Sequence, residues 1–277
     1  MKVYNTKKGI LIEIQNSFYL INENWDDLIN DDNLSDKLNQ LVKTLKPINN
    51  AEEIIRKDLL VPMQSQELWA SGVTYFNSKL GRQEESKDAG GGDYYERVYN
   101  ADRPELFFKA TVNRTVPSNG KVNIRKDSSW DVPEPELTLV ITSSGKIIGY
   151  TIGNDMSSRS IEGENPLYLP QAKTYDACAG LGPCVLVSNE MLSDDSKISM
   201  KIIRNTEIVF DETIEISKMK RKPKELVGYL YKECSFKYGS LLMTGTGIVP
   251  TTAFTLQSKD EIEISIDNIG TLINYVR

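Results

Sequence analysis

Short apolar runs with strand-like alternation open the chain, at Gly9-Ile10-Leu11-Ile12-Glu13-Ile14 and at Phe18-Tyr19-Leu20-Ile21, and predict two strands. The period then changes. Leu34, Leu38, Leu41, Val42 and Leu45 recur at helical spacing and Pro47 closes the pattern, so a helix with a core-facing stripe is expected there. A shorter helix is expected over 51–56, and Pro62 marks a boundary. Residues 1–62 therefore read as a small N-terminal α+β domain and residues 63–277 as a β-rich domain.

From Trp69 onward the strand pattern dominates, with apolar runs at 106–108, 137–141, 147–152, 185–187, 198–203 and 262–266. One clear helix is expected near 225–231, and Ser143-Ser144-Gly145-Lys146 between two of the runs signals a hairpin. Many strands with few helices make an α+β, β-rich fold. The polar stretch Asn77 to Asp93 ends in glycines and reads as a mobile surface loop, either a plain connection or an active-site lid.

Composition narrows the chemistry. The 277 residues carry 33 Lys and Arg against 39 Asp and Glu, a net charge of -6 that gives no basic footprint for nucleic acid. No run of 18 apolar residues occurs, so no membrane span is expected. Histidine is absent, which removes imidazole bases, His-bearing triads and His metal sites. The cysteines, Cys178, Cys184 and Cys234, match no zinc spacing and read as buried thiols of a reduced, cytoplasmic protein.

What remains is carboxylate and lysine chemistry. Glu134 and Glu136 flank Pro135 at the start of a strand, where alternate side chains share a face about 7 Å apart; the rival reading is a solvated strand edge. Asp155 follows the run 147–152 through Gly153-Asn154, at a point where the paired strand returns toward the glutamates. Three carboxylates without imidazole or thiolate are hard oxygen ligands, suited to Mg²⁺ or Mn²⁺. Lys173 sits in a segment with few charges and is either exposed or faces that cation as a base. The segment Met243-Thr244-Gly245-Thr246-Gly247 offers hydroxyls and amides for a carboxylate, or is a plain turn.

The ordered set Glu-x-Glu, Gly-Tyr-x-x-x-x-Asp with Ser-x-Arg, Gln-x-Lys-x-x-Asp, Leu-Gly-Pro, Thr-Gly-Thr and Ile-Gly-Thr-Leu-Ile-Asn resembles the fumarylacetoacetate hydrolase superfamily from about Trp69 to Arg277. The segments 103–111, 133–136 and 162–171 look most like its branch of 2-keto-3-deoxy sugar-acid dehydratases. The resemblance implies a mixed β-sandwich roll, a Mg²⁺ site and a small 2-oxo acid substrate, in a homodimer or homotetramer. It makes Glu134, Glu136 and Asp155 the metal ligands, turns Lys173 toward the substrate, and assigns a substrate carboxylate to Thr246. Thr74 and Tyr75 would line the pocket, with Thr74 where a serine is expected, and Glu105 would hold a water near the metal.

The implied reaction is loss of water from a 2-keto-3-deoxy pentonate, giving 2,5-dioxopentanoate, with Lys173 taking a C3 proton and Glu105 or its water protonating the departing hydroxyl. An acylpyruvate or diketo-acid hydrolase, or an oxaloacetate-type decarboxylase, is the alternative on the same site. The absent histidine argues against the hydrolase, whose water is normally activated by a Glu-His pair, while Glu105 alone is the base left to it. A non-catalytic module that binds a small oxo acid is the further alternative.

Overall fold

Strands buried on both faces organise the molecule, whose computed structural model describes residues 1–85 and 92–277. In chain order the strands are β1 (Lys2–Thr6), β2 (Gly9–Ile14), β3 (Ser17–Ile21), β4 (Glu67–Gly72), β5 (Glu105–Ala110), β6 (Thr115–Val116), β7 (Gly120–Val122), β8 (Asp131–Val132), β9 (Pro135–Ile141), β10 (Ile147–Asp155), β11 (Ser157–Ser158), β12 (Ala179–Val187), β13 (Lys197–Arg204), β14 (Glu207–Glu215), β15 (Ser240–Met243), β16 (Glu261–Ile266) and β17 (Gly270–Val276). The α-helices are α1 (Trp25–Ile29), α2 (Leu34–Leu41), α3 (Ala51–Asp58), α4 (Phe76–Glu85), α5 (Gly92–Asn100), α6 (Arg159–Glu164), α7 (Leu169–Lys173) and α8 (Pro223–Leu230).

The larger sheet runs β3-β2-β1-β12-β10-β9-β15-β4-β5, with β6 beside β12; the smaller runs β14-β13-β16-β17-β7. Both are mixed, since β15 lies parallel to β4 and β17 parallel to β7 while their other neighbours are antiparallel. Leu137, Leu139 and Ile141 of β9 share one core with Ile198, Met200 and Ile202 of β13 and with the inward residues of β16, so two sheets sandwich it. Val140, on the opposite face of β9, joins a second core with Leu28, Leu34 and Leu38 of the N-terminal helices. This two-sided burial explains why β9 reads as a continuous apolar run.

Because β1 pairs with β12, the first 62 residues extend the same large sheet, and the expected division near Pro62 leaves that sheet unbroken. The 143–146 hairpin joins β9 to β10 as expected. Three expectations need correction. Residues 77–85 continue α4 and residues 92–93 open α5, so the described part of the expected loop is helical; the rest of it, 86–91, lies outside the described residues. The helices pack through aromatic and cation contacts that apolar periodicity does not register: Phe76 meets Tyr99 edge-on at a centroid separation of 6.3 Å, and the Arg82 guanidinium lies 5.8 Å from the Tyr95 ring. The helix near 225–231 is not alone in the second half, since α6 and α7 are present but too short to leave a periodic signature. Cys178 and Cys184 are buried free thiols, whereas Cys234 is exposed, because it follows α8 in a surface segment. Among the described residues no helix is long and apolar enough to cross a membrane.

Gly153 shows how tightly the β9–β10 hairpin is built. It pairs with Glu136, and a Cβ there would meet Thr138 Oγ1 at 2.5 Å and Met243 Cε at 2.7 Å. We expect Gly153→Ala to destabilise the fold by roughly 1–3 kcal/mol through overpacking, read as a lower urea midpoint at unchanged m. An unchanged midpoint would mean that the hairpin is looser than this packing requires.

Candidate functional site

The β9–β10 register gathers the acids. Glu134 and Glu136 are two residues apart, Gly153 pairs with Glu136, and the Asp155 amide donates to the Glu134 carbonyl at 2.9 Å, so all three carboxylates project from one face of the hairpin. Gly153 supplies no side chain between them. Each carboxylate can bring an oxygen within 4.8 Å of the others, and all three are buried. Asn154 points the opposite way, where its Nδ2 donates to Asn274 Oδ1 of β17 at 3.2 Å and ties the hairpin to the smaller sheet. That contact gives the C-terminal Ile-Gly-Thr-Leu-Ile-Asn segment a structural role beneath the site.

Two buried ammonium groups meet these acids. Lys173, in the last turn of α7, contacts Glu134 Oε2 and donates to Asp155 Oδ2 at 3.1 Å and Ser157 Oγ at 2.6 Å. Lys109, on β5, pairs with Asp155 Oδ1 at 2.5 Å and donates to the carbonyls of Met156 at 2.9 Å and Lys173 at 2.5 Å. Arg159 of α6 pairs with Glu134 Oε1. A third layer follows, in which Arg82 of α4 pairs with the fully buried Glu162 of α6. Glu136 is held differently: the Gly245 amide donates to its Oε2 at 2.6 Å. Gly245 has φ +90°, and a Cβ there would run into the Thr74 hydroxyl and lie 2.9 Å from the Ser71 carbonyl, so the Thr-Gly-Thr segment needs glycine at its centre.

The acids consequently differ in charge. Burial alone would raise the Glu134 carboxyl, but Lys173, Arg159 and Arg82 overcome it and hold the group well below its usual range. Glu136 is pushed well above its usual 4.5 by burial and by Asp155 and Glu134, against the weaker pull of Lys173 and the Gly245 amide. Glu105 is also raised, by burial first, with Arg82 and Lys173 opposing and Glu134 and Asp155 adding to it. A hard divalent cation fits this donor set: it would neutralise the carboxylate that the native cations leave uncompensated, using three oxygens and no nitrogen or sulfur.

The residues expected from sequence fall into two groups. Glu134, Glu136, Asp155, Lys173 and Thr246 line one small cavity, together with Phe107. Glu105 lies against its wall, packed so closely on Gly72 that a Cβ there would meet its carboxylate. Thr246 spends its hydroxyl on Ile248, donating to its carbonyl at 3.1 Å and accepting from its amide at 3.2 Å. Thr74 does not present its hydroxyl to the cavity, because that hydroxyl donates to the Thr244 carbonyl at 2.7 Å and supports the Thr-Gly-Thr turn. Tyr75 is buried with no hydrogen-bond partner for its hydroxyl among the described residues, and burial with the nearby Glu136 raises its pKa. Lys109, Arg159, Arg82 and Glu162 carried no expected role. The readable signals were a lone lysine inside the apolar strand Glu105–Ala110 and an arginine four residues after Asp155.

Residues 76–277 match the family model described as fumarylacetoacetate (FAA) hydrolase C-terminal. The chain is 46% identical over 226 residues to a probable 2-keto-3-deoxyxylonate dehydratase of Haloferax volcanii, covering 81% of this chain and 77% of that protein. It is 44% identical over 218 residues to the 2-dehydro-3-deoxy-D-arabinonate dehydratase of Saccharolobus solfataricus, covering 78% and 73%. The solved structure of a 2-keto-3-deoxy-D-arabinonate dehydratase complexed with magnesium and 2,5-dioxopentanoate superposes with a TM-score of 0.86 at 33% identity, over 100% of this chain and 99% of that one.

The opposed shifts set a pH dependence. Glu136, raised in the fold, contributes stability in acid that is lost as the pH rises from 4.5 through its raised value, whereas the contribution of Glu134 is present above 4.5 and lost as the pH falls through its lowered value. Cation binding needs Glu136 ionised. The rise in Tm that Mg²⁺ gives to EDTA-treated protein should therefore be largest above the raised value of Glu136 and vanish below 4.5. A Mg²⁺ effect of equal size across that range would contradict this assignment.

Proposed function

Since the chain belongs to the fumarylacetoacetate hydrolase family, and its similarity extends to sugar-acid dehydratases, we propose that it is a Mg²⁺-dependent hydro-lyase that converts a 2-keto-3-deoxy pentonate to 2,5-dioxopentanoate. The arabinonate and xylonate names of its relatives point to one substrate skeleton: with C2 a ketone and C3 a methylene, C4 is the sole stereocentre left. The observation that carries the reading is the trio of buried carboxylates around the Lys173 ammonium. Glu134, Glu136 and Asp155 are the residues that hold Mg²⁺ in this proposal. When bound, the ion would supply a Lewis acid that polarises the ketone of a 2-oxo acid and acidifies its C3 protons.

Lys173 takes a C3 proton. Its ammonium touches side chains alone, namely Glu134, Asp155 and Ser157, so it can release and regain a proton without orphaning a backbone carbonyl. Glu105, whose carboxyl is held protonated to higher pH than usual, gives a proton to the departing C4 hydroxyl, and water leaves. The C3–C4 double bond so formed is conjugated with the ketone. Moving a proton from C5 back to C3 yields the C5 enol, which becomes the aldehyde on protonation at C4; substrate and product differ by one water. Phe107 gives the cavity an apolar wall.

We also propose a cytoplasmic location, a reading that the free thiols Cys178, Cys184 and Cys234 support. A second copy of the chain, in a homodimer or homotetramer, is the partner proposed for the edge strand β14, where Ile208 and Val209 are exposed; light scattering should give the mass of two or four chains, and a monomer would remove this partner.

The decisive assay incubates the protein with 2-keto-3-deoxy pentonate and reads the products by mass. A single product lighter by one water, lost with EDTA and restored by Mg²⁺, is expected. Two smaller acids would identify a hydrolase. Lys173→Gln should lower kcat by about 10²–10⁴-fold with little change in KM. Turnover near that of the parent would remove Lys173 from the proton transfer.

A further inference from the structure

Lys109 contributes nothing to the cavity surface, yet it touches both halves of the proposed chemistry. Its stem is fully buried on β5, between the hairpin and α7. Its ammonium reaches Asp155 Oδ1 and two backbone carbonyls, those of Met156 and Lys173. One carbonyl belongs to the residue after the acid and the other to the proposed base. Asp155 thus has its two oxygens divided between two lysines, Oδ1 to Lys109 and Oδ2 to Lys173. The carbonyl of Lys173 lies at the C-terminal end of a five-residue helix, which has few internal hydrogen bonds to hold its last turn. The same segment is also tied to β5 by the Thr174 hydroxyl, which donates to the Lys109 carbonyl at 3.1 Å.

We propose that Lys109 is a positioning residue that clamps Asp155 and the backbone of Lys173 to one ammonium, fixing the distance and orientation between the acid cluster and the base. The proposal rests on the reading of Lys173 as that base. Lys109 is suited to clamping because its departure would leave two buried carbonyls without a donor, a cost that Lys173 does not face. Arginine is not equivalent, because a planar fork cannot converge on three oxygens as an ammonium does. Glu134 and Glu136 keep their own contacts, to Arg159 and to the Gly245 amide, when Lys109 is changed.

The test compares the parent with Lys109→Met and Lys109→Arg. Two quantities are read: the affinity of substrate-free protein for Mn²⁺ by calorimetry, and the exchange of the C3 protons of 2-oxobutyrate with D₂O by NMR, which needs the base but no dehydration. Loss of the clamp should slow exchange by at least ~100-fold in Lys109→Met and ~10-fold in Lys109→Arg, while Mn²⁺ affinity stays within about tenfold of the parent. Exchange within about threefold of the parent in either folded variant overturns the clamp, as does an equal loss of exchange and Mn²⁺ affinity, which a purely structural role would give. If Lys109→Met fails to fold, Lys109→Arg decides by the same two readouts. A parent that exchanges C3 protons but releases no water from 2-keto-3-deoxy pentonate would refute the dehydratase reading and leave the clamp standing; a parent that exchanges no protons overturns the clamp.

Discussion

Three carboxylates forced onto one buried hairpin face are the constraint from which the surrounding structure follows. With oxygens within 4.8 Å of one another, each ionised pair repels by roughly 3–4 kcal/mol at an effective interior dielectric near 20. Cations must converge on them. They come from elements that share little sequence proximity: Lys109 from β5, Arg159 from α6 and Lys173 from α7. The short helices after β10 make sense in this light, since their packing brings two of those charges to the acids. Glu136, which has a backbone amide instead of a paired cation, is pushed toward its neutral form, and it is there that a divalent ion would do most to favour ionisation.

The two lysines illustrate how identical side chains are given different work by their partners. Both are buried, and both contact Asp155. Lys109 donates to two buried backbone carbonyls, a setting that holds its ammonium in place. Lys173 contacts two carboxylates and a hydroxyl, groups whose charge and orientation can change when a ligand arrives. Proton traffic suits the second environment and scaffolding the first.

Much of this arrangement was legible in the chain. Short apolar runs located β9 and β10, the Ser-Ser-Gly-Lys turn made them a hairpin, and antiparallel return placed Asp155 beside Glu134 and Glu136. Lys173 stood out because its neighbours are uncharged. The helical character of residues 77–85 was hidden, since α4 is stabilised by Phe76, Lys79 and Arg82 stacking on the tyrosines of α5 rather than by an apolar stripe. The family resemblance puts Thr74 in the pocket lining, and only the fold reveals that its hydroxyl donates to the Thr244 carbonyl. Lys109 was visible as an anomaly in an apolar strand, but its meaning depends on α7 folding back 64 residues later in the chain to place a carbonyl against it.

The missing histidine leaves Glu105 as the group that would have to serve an alternative hydrolysis as its base. A hydrolase must deprotonate a water at neutral pH, which calls for a group that is unprotonated and poised to accept. Glu105 is shifted the other way, toward its protonated form, by burial and by the neighbouring acids Glu134 and Asp155. A carboxyl whose surroundings favour its protonated form is suited to donate a proton, and in the proposed reaction expulsion of a hydroxyl is the step that needs one. The same negative cluster that recruits the cation therefore also tunes the acid. Lys173 lines the cavity and Glu105 packs against its wall, so the proposed dehydration has its base and its acid on adjoining sides.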